Sequence, residues 1–597
     1  MVAWDKLSIA AFGDAAPIVA ATGTIESICA WFEDTAQRHA DDVALRTLSG
    51  QECTWGTYHQ QVREAAAGLA GLGLGRGDVL ACWLTNRPEF HVADAAAIHL
   101  GAASFSIYST FTVERAKHVT ADAGARILIT EPTYAEQAIA LRESRETPLD
   151  HIVCVEGDAP EALGWDELLD AAPANFDFES AWRAVQPEDL ATLIYTSGTT
   201  GRPKGVELTH ANISAQTLAL SDRLGLTEGI RAVSFLPMAH IAERLSTHYF
   251  PMFHGWQVTC CPNAREVAAA IAAVRPAYFF SPPSVWEKLR RDIYASADDA
   301  ERAAIVAAIE IVRGGGGVLD GPLQAAARAK VGFDELAVAV VGAAPCPPAV
   351  IEFWHACGVP LSELYGMSET TGVATVAGPD DIRIGTVGPP LPVCEVRLAE
   401  EGEICVRGPV VTRRYRNLPE ETTRTLDDDG WLRSGDVGEL DDDGHVRVVD
   451  RLEELIVSAA GKTMSPANIE ATLKSDASLV GQACAIGDAR PFNVALLTLD
   501  PDRARAFAEA HSIRTTHLAQ HRKVVEAVRE DVARGNARLA RVERIKRFAV
   551  LPEEWMPDGD ELTPTMKLKR RPIAEKYAEM IEGLYKGSSG FDTDVAI

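Results

Sequence analysis

The chain has 597 residues, 47% of them hydrophobic, and 57 Lys plus Arg against 85 Asp plus Glu give a net charge of −28. So acidic a protein is excluded from general nucleic-acid binding, and any affinity for phosphate has to be local. The eleven cysteines, scattered from Cys29 to Cys484, lack metal-ligand spacing. Free thiols in a cytoplasmic protein are therefore expected, with no signal peptide or membrane-spanning run visible. Several folding units are expected at this length. Helix-like, alanine-rich segments over 62–72 and 93–100 flank an apolar run over 79–84. That alternation predicts a layered α/β domain. Further strands are predicted at 127–129, 152–155 and 278–280, and another ends at Val341. Ligand loops are expected at their carboxyl ends. A helix over 301–312 runs into Gly314–Gly317, a surface connection.

The most informative stretch is YTSGTTGRPKGV, residues 195–206. Gly198, Gly201 and Gly205 let backbone N–H groups approach a ligand with no Cβ in the way. Thr196, Ser197, Thr199 and Thr200 add hydroxyl donors, and Lys204 adds a positive charge. Strands are predicted on both sides, at 193–195 and 206–208, so the segment reads as a polyphosphate cradle. It differs from a Walker A loop, which ends Gly-Lys-Ser/Thr at a helix start, because here Pro203 precedes Lys204 and Gly205 follows it.

Other motifs follow in order: LPMAHIAER (236–244), GAAP (342–345), LYGMSET (364–370), WLRSGDVGEL (431–440), Asp450-Arg451, SAAGKTMSPANIE (458–470) and ELTPTMKLKRRP (561–572). Together with the cradle they resemble, over residues 25–580, the adenylate-forming (AMP-binding) superfamily, and within it the long-chain fatty acid–CoA ligases. The resemblance implies an α/β fold: a large multi-subdomain N-terminal domain of layered sheets and helices, residues 1–449, binding ATP and acyl chain. A small, mobile α+β C-terminal domain, 450–597, carries the catalytic lysine.

It also implies roles for particular residues. Gly342, Ala343 and Ala344 would wall the adenine, Tyr365 would stack on it, and Gly366 would lie against the nucleotide. Ser368 would donate to a phosphate, Asp436 would accept from the ribose hydroxyls, and Arg451 would contact the nucleotide. Glu369 would hold Mg²⁺ with Thr196 as a hydroxyl neighbour. Lys567, Glu369 and Thr199 would carry the chemistry, Lys567 by stabilising charge as a carboxylate attacks the α-phosphate. Gly461 would flank the pantetheine arm of CoA. His240 would line the acyl pocket, joined by Tyr278 and Phe280 and by Ser281 and Trp286. A base is not required of His240, since a carboxylic acid is already ionised at neutral pH.

The implied reaction is ATP-dependent activation of a fatty acid as acyl-AMP, then transfer to CoA. Three alternatives stay open: a fatty acyl-AMP ligase serving a carrier protein, an aryl or medium-chain acid–CoA ligase, and an inactive nucleotide-binding regulator. Expected partners are the fatty acid, ATP and CoA, with no nucleic acid; transient membrane-surface contact and oligomeric state are left open. One departure stands out. Long-chain relatives often carry two lysines after the boundary arginine, where this chain has Leu452 and Glu453, then Glu454. Altered rates of domain closure or CoA binding are expected from this acidic hinge.

Overall fold

A computed structural model describes residues 26–157, 159–196, 202–459, 461–475, 477–514, 517–556, 559–563 and 567–586. The expected alternation is present. A seven-stranded sheet runs, edge to edge, Leu163–Gly164, His151–Cys154, Ile127–Thr130, Val79–Trp83, Ala103–Ser106, Leu190–Thr196 and Lys204–Thr209. All its pairings are parallel except the last. The strand Val79–Trp83 is buried at every position, as a parallel strand covered on both faces must be. Helices Trp55–Gly71 and Pro88–His99 pack nearby, the first capped by Thr54, which accepts from Thr57 N–H.

A second sheet joins Arg231–Ser234, Gln257–Cys260, Val43–Thr47 and Glu52–Thr54, and a third joins Tyr278–Ser281, Val338–Val341, Leu361–Tyr365 and Thr375–Val376. An antiparallel sheet of Glu395–Leu398, Glu403–Arg407, Leu432–Leu440 and Val446–Arg451 follows. The chain then builds a smaller unit in which Val480–Ile486, Asn493–Leu499 and Ile545–Val550 pair beside helices Pro466–Lys474 and Arg522–Asn536. This unit has its own apolar core, including Ile469, Leu497, Val528 and Phe548. A large α/β region followed by a small α+β unit is thus the observed architecture.

Three strands deliver the motif loops from their carboxyl ends: Leu190–Thr196 into the glycine-rich loop, Val338–Val341 into Gly342, and Leu361–Tyr365 into Gly366. All eleven cysteines are free thiols, ten of them buried. Among the described residues no helix is long and apolar enough to cross a membrane.

Candidate functional site

The strands on either side of the glycine-rich segment pair with each other. Leu190–Thr196 and Lys204–Thr209 run antiparallel, and their last partners are Thr196 and Lys204, so these two residues stand where the strands end. Ser197, Gly198, Thr199, Thr200 and Gly201 lie outside the described residues. A Cβ on Gly205 would stand 3.0 Å from Tyr195 Cζ and 3.2 Å from Arg416 Cβ. Glycine here lets the 414–416 segment lie against the strand pair, where Arg416 N–H donates to Gly205 O at 2.7 Å. That contact places Tyr415 beside Lys204, whose ammonium stands 5.5 Å from the ring centroid and pairs with Glu421.

Tyr415 also reaches the expected metal carboxylate, its hydroxyl donating to Glu369 Oε1 at 2.8 Å. Burial, then the negative Glu369, holds that phenol well above its usual range, so it stays a donor. Gly342 packs tightly on the next strand, where an added Cβ would meet Leu364 Cδ1 at 2.5 Å, and Ala343 adopts φ 65°. The adenine wall expected at 342–344 therefore borders Tyr365. Gly366 admits no side chain either, since its Cβ would fall 2.4 Å from Gly372 O. Ser368 opens the short helix Ser368–Thr370 that holds Glu369.

Asp436 lies directly opposite Arg451 in the antiparallel ladder. Register explains their ion pair, Arg451 Nε to Asp436 Oδ1 at 3.2 Å, while Tyr365 OH donates to Asp436 Oδ2 at 2.7 Å. Tyr365, Asp436 and Arg451 are thereby joined. Lys567, from the small unit, comes within electrostatic reach of the same Asp436 and Arg451. Its surface stays exposed, yet surrounding protein depresses its pKa, and Arg451 adds to the effect, while Asp436, Glu369 and Glu454 oppose it. An ammonium open to water but hemmed in by protein is what a wet cleft provides.

His240 feels the same lysine. Burial, then the Lys567 charge, pulls its imidazole down to about 4, so it is neutral near pH 7. Its Nδ1 accepts from Ala242 N–H at 3.2 Å, capping the helix Ile241–Arg244. The helix continues as a π-turn, Leu245–Tyr249. There Ser246 Oγ meets Tyr278 OH at 3.0 Å, linking His240 through one element to the expected acyl wall. Tyr278 and Phe280 face the main core with Ser281 following, whereas Trp286 stands in a second core against Phe279, Phe333 and Trp354. Gly461, at φ 73° in an exposed turn closed by its N–H to Ser458 O at 2.8 Å, is bonded to none of these residues.

Several residues at this site were not singled out by sequence reasoning. Tyr415 and Glu421 lie in RRYRNLPEE, a segment with no chemical signature of its own. Glu243 and Arg244, inside a motif valued for its histidine, are both buried. Glu243 accepts from Phe235 N–H at 3.1 Å, and Arg244 Nε donates to Met238 O at 2.9 Å; together they clamp the loop leading to His240. Two adjacent ionisable residues inside an otherwise apolar motif were the available signal.

Comparison with known proteins agrees with this geometry. The AMP-binding enzyme profile matches residues 32–416, and that of the AMP-binding enzyme C-terminal domain matches 453–589. The protein fadD11 of Mycobacterium tuberculosis, provisionally named a fatty-acid–CoA ligase, is 46% identical over 451 residues, covering 72% of this chain and 79% of its own. Long-chain-fatty-acid–CoA ligase FadD15 of the same species is 34% identical over 553 residues, 88% of this chain and 91% of its own. The crystal structure of anthranilate CoA ligase AuaEII in complex with anthranoyl-AMP superposes with TM-score 0.73 at 21% identity, covering 94% of this chain and 98% of its own. With both profiles matched in order along it, this chain belongs to the AMP-binding enzyme family.

Proposed function

We propose that this protein is an ATP-dependent fatty acid–CoA ligase acting on long-chain acids. One observation carries the reading: Lys567, from the small unit, comes within electrostatic reach of Glu369 on the short helix Ser368–Thr370, of Asp436, and of the Arg451 that pairs with Asp436. The names of the two relatives supply the fatty acid, and that of FadD15 the long chain.

In the first step a carboxylate oxygen attacks the α-phosphorus of ATP. The acyl O–P bond forms, the bridging P–O bond breaks, and pyrophosphate leaves. The Lys567 ammonium stabilises charge on the α-phosphoryl oxygens in this in-line displacement. Thr196 and Lys204, at the paired ends of the two strands, serve the β- and γ-phosphates. Tyr365 and the 342–344 wall hold the purine, and Asp436 orients the ribose. Neutral His240 places no charge against the incoming carboxylate. For Mg²⁺ the donor set fits: Tyr415 engages one Glu369 oxygen, and the other, with the Thr196 hydroxyl, would supply hard oxygen ligands. Bound there, the ion would neutralise phosphate charge.

In the second step the CoA thiolate attacks the acyl carbonyl, the thioester C–S bond forms, and AMP leaves. We place the domain boundary at Asp450, so that rotation of the following unit withdraws Lys567 and presents the face around Gly461 to the pantetheine arm. Asp450 is well placed as a pivot, its Oδ2 accepting from Ser465 Oγ at 2.5 Å and Ala467 N–H at 3.0 Å.

The test is mass spectrometry of products from ATP, CoA and a panel of acids of two to twenty carbons, with benzoate. Long-chain acyl-CoA is expected. Adenylate without thioester would assign an acyl-AMP ligase, benzoyl-CoA or short acyl-CoA would move the substrate class, and no ATP turnover with any acid would overturn the reading.

A further inference from the structure

The acidic residues after the boundary arginine find a partner next to the lysine. Arg570 lies three residues beyond Lys567, and Glu454 three beyond Arg451. Arg570 Nε donates to Glu454 Oε2 at 2.9 Å, while its Nη1 and Nη2 donate to Glu470 Oε1 and Oε2 at 2.6 and 2.9 Å. One guanidinium thus joins two carboxylates, the second through a bidentate fork. Glu470 is buried, and its Oε1 also accepts Ala485 N–H at 2.7 Å. The assembly therefore roots in the helix Pro466–Lys474 and the strand Val480–Ile486.

The lysine segment is tied to the same point. Leu562 and Leu568 form an antiparallel bridge. Lys567 N–H donates to Thr563 Oγ1 at 3.0 Å, Thr563 N–H returns to Lys567 O at 2.8 Å, and Lys569 N–H donates to Glu561 O at 2.7 Å. Arg570 then starts the helix Arg570–Lys576. Lys567 accordingly projects from a hairpin whose exit is gripped by Glu454, a residue of the turn Leu452–Glu454 that follows Arg451.

We propose that Glu454 and Arg570 are positioning residues that lock the lysine hairpin to the turn after the boundary, so that the lysine reaches the nucleotide when the small unit is seated and leaves as a rigid part of it when that unit rotates. All three charged groups lie beyond Asp450, so rotation there leaves the lock intact. The acidic turn is then no loss of function: Glu454 supplies the anion that Arg570 needs, and its charge also acts on Lys567 and Arg451. Glu453, exposed on the same turn, has no such part.

The inference rests on the reading of Lys567 as the adenylation lysine, and the two half-reactions separate their failures. Arg570→Lys and Glu454→Gln keep size and are compared with Glu453→Gln and Lys567→Ala. Adenylation is read by ATP–pyrophosphate exchange with the best acid of the panel, thioester formation by supplying the corresponding acyl-AMP with CoA. A lysine displaced by about 1 Å costs on the order of 100-fold, so exchange is expected to fall ~10- to 100-fold in R570K and E454Q. Acyl-CoA formation from supplied adenylate is expected to stay near the wild-type rate, and E453Q to keep both activities. Exchange at the wild-type rate in both variants, or an equal fall in both half-reactions, would overturn the lock. Unchanged exchange in Lys567→Ala would overturn the reading beneath it.

Discussion

Arg244 offers a demanding test of how the core supports the site. Its side chain and that of Asp94 are both fully buried and ion-paired, and Asp94 Oδ1 also meets His248 Nε2 at 2.9 Å. Arg244 further donates to Ser106 Oγ at 3.0 Å and Met238 O at 2.9 Å. Replacement by Met keeps an apolar stem and leaves Asp94 buried without its main counter-ion, a loss of about 3–5 kcal/mol. The pH dependence gives the signature. Burial alone would push the Asp94 carboxyl up, and Arg244 with His248 outweighs it, so in the native protein it sits below its ordinary value. A depressed carboxylate stabilises the fold above about pH 3.9 and loses that contribution as pH falls. In Arg244→Met burial acts with less opposition, the folded carboxyl rises above its unfolded value, and stability now falls as pH rises. The penalty should therefore be larger at pH 8 than at pH 5. Urea unfolding followed by tryptophan fluorescence at both pH values measures it. Because Met238 lies two residues before His240, the acid KM should rise as well. A penalty below about 1 kcal/mol, or one equal at the two pH values, would refute the account of a charge held by its partner.

Three further outcomes follow from the site. Tyr415→Phe removes a hydrogen bond to the Glu369 carboxylate, worth about 1.5–3 kcal/mol; the Mg²⁺ concentration for half-maximal exchange should rise at least ~10-fold, and an unchanged Mg²⁺ titration would show that the phenol does not orient Glu369. Glu421→Gln frees Lys204 from a partly exposed ion pair worth about 1 kcal/mol, so the KM for ATP should fall about fivefold; a higher KM would mean that Glu421 aims the lysine instead of competing with phosphate. Gly366→Ala would drive a Cβ to 2.4 Å from Gly372 O and 2.7 Å from Val373 Cα. Backbone cannot yield as a side chain can, so about 1–3 kcal/mol of strain should appear as a lower unfolding midpoint together with a loss of exchange, and wild-type values for both would contradict the packing.

The sequence by itself determined what depends on local chemistry. Alternating apolar runs and alanine-rich helices announced the layered sheets, and strands predicted at 127–129, 152–155 and 278–280 appear as Ile127–Thr130, His151–Cys154 and Tyr278–Ser281. Gly205 was legible because close backbone approach selects glycine whatever surrounds it, and the 414–416 segment does lie against it. Tertiary structure alone decided which charges meet. Lys204 finds Glu421 across 217 positions, Tyr415 finds Glu369 across 46, and Arg570 finds Glu454 across 116. Glu421, Tyr415 and Glu454 carry no signal in their own neighbourhoods, and only folding excludes enough water to make their partners matter. The acidic turn shows the difference most plainly: in one dimension Leu452 and Glu453 register as two missing lysines and Glu454 as one more acid, whereas in three dimensions Glu454 is the counter-ion of Arg570, because a guanidinium taken out of water requires a carboxylate wherever in the chain one can be found.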